Sequence, residues 1–467
     1  MDDAGCRLRA AFTGESHGGD QKALLIFRIL THDAPNVTAE IAILNKTAVA
    51  LAADSAVTMQ IEGGQKIYNT VNKLFTLSKY RPVGIMVYGN SEFMGVPWES
   101  SIKEHRRELG KAKHGALREY VDGFMAWIAT AKLLFPDALQ AQILTGTITG
   151  FFDQIKREID QKVAASIAAK EAVGPERVQE IVTEVISLHR DRWVAIPRLA
   201  TVKADYEAKF LERHADEIEK ARASVFQELP LTADAVAALS ETLPAIFCRD
   251  SFGSGTSGIV FAGFGEDEIF PSLIECSLET LVDGILKWKE VQTAWVDHFT
   301  NNATIVPFAQ REMVDTFLSG VDPAYKNVVF GSLQQVLSTS ADQVFNMIPE
   351  AALPNKKALV KTINDKIPEF VTEFNSRLNE YSRRRRISPI MNAVAALPKD
   401  ELAAMAESLV NLTSFRRKIS TEAETVGGQI DVAVISKGDG FIWIKRKHYF
   451  EIGKNPQFVA NYYQKVE

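Results

Sequence analysis

The chain has 467 residues, 46% hydrophobic and 24% charged, and 53 Lys+Arg against 59 Asp+Glu leave a net charge of −6. This composition excludes the disordered, collagen-like and disulfide-scaffold classes, and the mildly acidic balance argues against nucleic acid or a membrane surface as partner. At about 150 residues per domain the length fits either three units or one domain enlarged by insertions.

Residues 1–37 read as a leader, a propeptide or a mis-assigned start. Charges run through them, and the apolar stretch LLIFRIL is short and broken by Arg28, unlike a secretory signal. From Thr38 short β-type runs follow as a meander: TAEIAIL, AVALAAD after the turn Asn45-Lys46-Thr47, KLFTL and VGIMVYG, with IEGGQKIYNTVN read as a linker. Residues 99–245 then carry the three-and-four spacing of long charged helices, as in YEAKFLERHADEIEKARASVFQEL. Strand signals return at SGIVFAGF, at IFPSLIECSLE beyond the turn Gly265-Glu266-Asp267-Glu268, and at ATIVPFA. Residues 311–420 are helical again, and the chain closes on QIDVAVI, the turn SKGDG and FIWIKRKHYFE, the clearest hairpin in the sequence. No repeat of solenoid period occurs, so 38–98, 246–310 and 421–467 are assigned to one discontinuous core, with 99–245 and 311–420 as helical insertions. The longest apolar runs, such as IVFAGF, fall far short of the roughly 20 residues a bilayer requires.

One constellation carries chemistry. With the first turn centred on Lys46, the hairpin register sets Thr38 opposite Asp54, and Lys73 opens the next strand where it can reach the same sheet end. A Thr hydroxyl is a weak nucleophile at neutral pH. An adjacent base, such as the α-amine of an N-terminal Thr, together with a nearby ammonium held by a carboxylate, activates it. Taken singly, each residue has a blander reading: Thr38 as a β-former, Asp54 as a turn cap, Lys73 as an edge charge that deters sheet aggregation. The spacing of the three together is what points to catalysis.

These residues resemble the N-terminal nucleophile hydrolases, in particular proteasome β-subunits and their bacterial proteasome-like relatives. Thr38 through AVALAADSAVT is similar to the family's first two strands, with the Asp sixteen positions after the Thr. KIYNTVNKLFTL is similar to the motif that ends in its catalytic Lys. VGIMVYGNSEF looks like the following strand and oxyanion turn, matching Tyr88 and Gly89, and VGGQIDVAVISKGDGFIWI looks like the closing hairpin, matching Gly427 and Gly428. The resemblance covers about a third of the chain. It implies an α+β fold, a four-layer αββα sandwich with large helical insertions, and a threonine-nucleophile hydrolase that needs no cofactor. It also implies a peptide or protein substrate, a homo-oligomer and a regulatory or unfoldase partner. The alternatives are a catalytically inactive scaffold or recognition subunit of the same fold, and a small-molecule amidase.

The sequence departs from the family pattern near the closing hairpin, where Val426 and Ala423 occupy the family's Ser and Asp positions and Glu422 and Glu424 stand beside them as substitutes. Ala309 and Gln310 replace a Gly-Ser-Gly run. Exposure of Thr38 requires either autolysis after Val37, where the family commonly has Gly, or initiation at Val37 read from a GTG codon, followed by methionine removal.

Other motifs read blandly. Ser254 in GSGTSG lacks nucleophile-elbow spacing, GFGEDE is no phosphate loop, and Arg383–Arg386 is a solvated helix end before Ser388-Pro389. His298 and His448 belong to no ligand spacing, so no metal site is assigned. Cys6, Cys248 and Cys276 are dispersed, which fits a reducing cytoplasm.

Overall fold

The computed structural model describes residues 38–61, 64–227, 229–253, 255–349, 355–419 and 427–463. Its strands are β1 Ala39–Asn45, β2 Val49–Ala53, β3 Val57–Ile61, β4 Gly64–Tyr68, β5 Leu74–Thr76, β6 Val83–Gly89, β7 Glu92–Phe93, β8 Val96–Pro97, β9 Ser257–Gly263, β10 Ser272–Val282, β11 Ile285–Trp295, β12 Ala303–Ala309, β13 Asp431–Ser436 and β14 Gly440–Lys445. They form a first five-stranded sheet in the order β12-β1-β2-β13-β14 and a second in the order β11-β10-β9-β6-β5. Every pairing in the first sheet is antiparallel, as are β5 with β6 and β6 with β9 in the second. The chain is thus a mixed α+β protein built on antiparallel sheets.

By contact density the chain divides into two units. One comprises Phe135–Thr256 and Leu278–Lys289; the other comprises the described residues of Val37–Leu134, Ser257–Ser277 and Glu290–Glu467. The sheet-containing unit is layered because its strands are apolar on both faces. All seven residues of β1 and all five of β2 are buried, as expected for strands covered on both sides. Ala42, Leu44, Val49 and Leu51 face a core shared with Leu74, Met86, Val260 and Leu273 of the second sheet. Between them lies Gly84, where a Cβ would come within 2.7 Å of Ile435 and of the Phe441 ring, so only glycine lets the sheets approach this closely. The alternate residues Ile41, Ile43, Ala50 and Ala52 pack on Val394, Leu402, Ala406 and Leu409 of two helices near the C-terminus.

The helices, in chain order, are α1 Trp98–Leu109, α2 Leu117–Thr130, α3 Asp137–Ala168, α4 Pro175–Ala195, α5 Tyr206–Arg213, α6 Ala215–Phe226, α7 Ala233–Cys248, α8 Glu312–Ser319, α9 Pro323–Met347, α10 Lys356–Ser382, α11 Ser388–Ala396, α12 Lys399–Ile419 and α13 Pro456–Tyr463. α1 and α2 cover the second sheet: Phe124 meets Phe261 of β9 edge to face at 5.3 Å, and the Trp98 indole donates to Ser257 Oγ at 2.9 Å. α3 to α7 make the other unit, around Ile148, Phe152, Val185, Phe210 and Leu239.

Several sequence expectations change. The first hairpin closes through a two-residue loop, Lys46-Thr47, rather than one centred on Lys46, so Glu40 pairs with Ala53 and Ala39 lies level with Asp54. The Asn45 side chain dictates this loop: its Oδ1 accepts from Thr47 N, Thr47 Oγ1 and Ala48 N. The stretch read as a linker contains the β3–β4 hairpin, and β11 lies in a segment with no assigned strand. Residues 99–134 and the α11–α12 region, grouped with insertions from their periodicity, lie in the unit that holds the sheets. An amphipathic stripe says that a helix is covered, not what covers it. The backbone also stays helical past the arginine run, through a π turn at Arg383–Ile387 that widens the helix ahead of Pro389, which has no N–H to give.

Asn45 Nδ2 additionally donates to the carbonyls of Val394 at 3.1 Å and Leu397 at 2.9 Å, tying the hairpin to the end of α11. Asn45→Ala strips partners from two carbonyls and the turn amides at a fully buried position, and should cost about 2–4 kcal/mol in urea unfolding. A loss below about 1 kcal/mol would show that the turn does not depend on this side chain.

Candidate functional site

Strand periodicity puts Thr38 and Glu40 on the same face of the first strand as Ala42 and Leu44, so both polar groups enter the layer between the sheets. Asp54 leaves the end of β2 beside them, its N–H donating to the Ala39 carbonyl at 3.1 Å. Lys73 comes from the second sheet, one residue before β5, and its carbonyl accepts from Val87 N at 2.9 Å. The Lys73 ammonium binds Asp54 Oδ1 at 2.5 Å and Glu40 Oε1 at 2.9 Å, while Thr38 Oγ1 donates to Glu40 Oε2 at 3.0 Å. Thr38, Asp54 and Lys73, named from the sequence, therefore meet in one cluster, and each is at most 3% exposed.

The electrostatics follow from counting charges. One ammonium cannot neutralise two carboxylates in a buried site, so one carboxylate takes up a proton readily. Burial pushes Glu40 up to about 7; Lys73 opposes that rise and Asp54 adds to it. Burial also works against a charged Lys73, but Glu40 and Asp54 outweigh it and hold the ammonium above its ordinary value. Asp54 accepts from two amides as well, Ala39 N at 3.3 Å and Gly427 N at 3.0 Å.

Gly427 and Gly428 close the site from the other side of the sheet edge. Ser55 N donates to the Gly427 carbonyl at 3.2 Å, and Ser55 Oγ donates to the Gln429 carbonyl. Gly428 has φ 80°, and a Cβ there would lie 2.7 Å from the Asn69 carbonyl, so glycine is required twice over. Glu422 and Glu424 fall outside the described residues, as do Ala423, Val426 and Ser254.

Tyr88 and Gly89 end β6, opposite Gly258 and Ser257, immediately after Val87, whose amide binds the Lys73 carbonyl. The Tyr88 hydroxyl donates to Glu275, and burial and then the Glu275 charge push that phenol well above its ordinary range. Glu275 in turn accepts from Gln292 Nε2 at 2.5 Å and lies 3.7 Å from Arg311.

Sequence reasoning missed Glu40 and Glu275. Glu40 is the lone carboxylate of the apolar run TAEIAIL, and Glu275 stands among buried neighbours in SLIECSL; each is at most 3% exposed. That pattern is the available signal, since a buried acid in a two-sided strand must have a partner. Among the described residues the two cysteine thiols are poor nucleophiles: burial pushes Cys248 up to about 12 and Cys276 higher still.

Among the described residues no group of three His, Cys, Asp or Glu is placed to hold a metal, and no helix is long and apolar enough to cross a membrane. A cavity of about 1050 Å³ runs along β5 and β14, past Tyr80, Arg106, Phe441 and Trp443; Thr38, Glu40, Asp54 and Lys73 do not line it. No protein-family model and no curated protein matches the chain.

Lys73→Met should destabilise the protein by about 3–5 kcal/mol, because it leaves two buried carboxylates without a counter-charge. The sign of the pH effect follows from Glu40. Below about 7 it is protonated and needs its partner less, so the loss should be smaller at pH 5.5 than at pH 8. Urea unfolding of both proteins at the two pH values checks this, and an equal loss at both would remove Glu40 from the pair.

Proposed function

We propose that the chain is a proteasome-like N-terminal nucleophile hydrolase that cleaves peptide or amide bonds with Thr38. The observation that carries this reading is the continuous chain of contacts from the Thr38 hydroxyl through Glu40 to Lys73 and Asp54, four polar groups gathered at one end of an otherwise apolar layer. Two antiparallel sheets face to face, each covered by helices, agree with the four-layer αββα arrangement that the sequence resemblance implies.

In the reaction, Thr38 Oγ forms a bond to the substrate carbonyl carbon and passes its proton to a base. That base is the Thr38 α-amine once the peptide bond after Val37 no longer exists. Collapse of the tetrahedral adduct expels the amine, which takes the proton, and water then hydrolyses the acyl-threonine ester. Lys73 stays charged between its two carboxylates and offsets their negative charge beside the hydroxyl. Backbone amides near Tyr88 and Gly89 are the candidates to hold the oxyanion, a contribution of about 3 kcal/mol per donor. Glu40 adds a carboxylate already accepting the Thr38 hydroxyl and ionising near neutral pH, the range a general base needs. The chemistry uses only groups of the chain and water.

A second reading, a catalytically silent scaffold of the same fold, draws support from the 2% exposure of Thr38. A small-molecule amidase is the same chemistry on a smaller substrate. Intact mass of protein expressed from its native gene, with β-lactone labelling, separates the readings. The hydrolase reading expects a chain beginning at Thr38, labelled once, and unlabelled as Thr38→Ala. A chain that retains residues 1–37, or a free Thr38 terminus that does not label, leaves the scaffold.

The labelling rate should rise with pH through an apparent pKa near 7 as Glu40 ionises. Glu40→Gln should remove that limb and slow labelling by about 10²-fold or more. An unchanged limb in Glu40→Gln would assign it to the α-amine alone.

A further inference from the structure

The α9–α10 hairpin is packed unlike the rest of the molecule. Its helices run antiparallel, with Phe330 against Phe374 at 6.0 Å and Lys326 Nζ donating to Asn379 Oδ1 at 2.6 Å. They have 25 and 27 residues, yet among the described residues of both only Ile367 is fully buried. Two helices that bury one side chain between them have almost no core of their own.

What they expose is patterned. On α10, Leu359, Ile363, Phe370, Phe374, Leu378 and Tyr381 are 36–64% exposed, and at 100° per residue they fall in one stripe about 100° wide, which borders α9 and meets it at Phe374. On α9, Tyr325, Val328, Val336 and Met347 are 58–82% exposed and fall in a stripe of about the same width, with Val344 beside it. With the helices antiparallel, both stripes fall on the same side of the hairpin, Tyr325 near Tyr381 at one end and Met347 near Leu359 at the other. α9 carries only Lys326 and Asp342 as charges, a composition unsuited to a freely solvated helix. Counting roughly 200 Å² for each large side chain, the α10 stripe alone leaves about 600 Å² of apolar surface open, at the upper end of what a monomer tolerates. With the α9 stripe added, the face passes the roughly 800 Å² that each partner gives to a stable interface.

We propose that this face is a homodimer interface, in which the hairpins of two copies of the chain pair about a two-fold axis to complete a four-helix bundle. The charges along α10 select a second copy. An axis crossing the helix between Phe370 and Val371 sets α10 antiparallel to its own copy and brings Lys366, on one flank of the stripe, beside Glu373 of the copy, a pair of opposite sign that the two-fold axis forms twice. Exposed pairs of this kind contribute little energy but fix register and exclude the parallel arrangement. The bundle buries the Phe370 and Phe374 stripe at its centre, flanked by these charges. This assembly is independent of Thr38 and its chemistry.

Size-exclusion chromatography with light scattering on the full chain tests the proposal. The expected mass is twice 51.7 kDa at micromolar concentration. The double substitution Phe370→Glu with Phe374→Glu should give a monomer with an unchanged far-ultraviolet circular dichroism spectrum. Should that variant lose its fold, the charge pair decides: Lys366→Glu should weaken dimerisation at least tenfold, and adding Glu373→Lys should restore it. A wild-type monomer, a dimer or larger ring that survives both glutamates, or a charge reversal without effect overturns the proposal.

Discussion

Lys73 places a buried ammonium between two buried carboxylates, and the arrangement of both sheets serves to meet the cost of dehydrating them. Each ion gives up several kcal/mol of hydration, which only close and well-aligned contacts return. Lys73 comes from the second sheet while Glu40 and Asp54 come from the first, so the contacts exist only when the two sheets sit face to face in one register. A one-residue slip of β1 would turn Thr38 and Glu40 to the helix face and leave Lys73 with Asp54 alone. Several features resist that slip: the Asn45 turn, the close approach at Gly84 and the Gly427–Gly428 corner that donates to Asp54.

A site with two acids and one base, closed from water, is poised rather than neutral. Burial first, and the Asp54 charge after it, push the Glu40 carboxyl up to about 7, while its two carboxylates hold Lys73 as an ammonium. The same arrangement that strains stability above neutral pH supplies a proton acceptor at the Thr38 hydroxyl.

The strands that read correctly from sequence are the ones whose pattern is local. QIDVAVI and FIWIK straddle the turn SKGDG and form β13 and β14, and VGIMVYG forms β6. β11 was not legible, because ILKWKEVQTAW alternates charge with apolar residues in a way that also suits a helix, and its burial fades along the strand. α1, α2, α11 and α12 were legible as helices but not as layers over the sheets. Their apolar stripes match any apolar surface, and only the sheets decide which one is theirs.

The same division runs through the candidate site. Sequence alone determined that Thr38, Asp54 and Lys73 could be brought together, since hairpin spacing and strand starts are short-range properties of the chain. Glu40 needed the tertiary structure: in sequence it is one acid in an apolar strand, and its role arises from Lys73, thirty-three residues away on another sheet. The hairpin face on α9 and α10 divides likewise, its helices written in periodicity and its bareness visible only once the rest of the chain has folded elsewhere. Local pattern encodes which residues share a face. Only the packed fold decides what that face meets, because burial and pairing depend on groups remote in sequence.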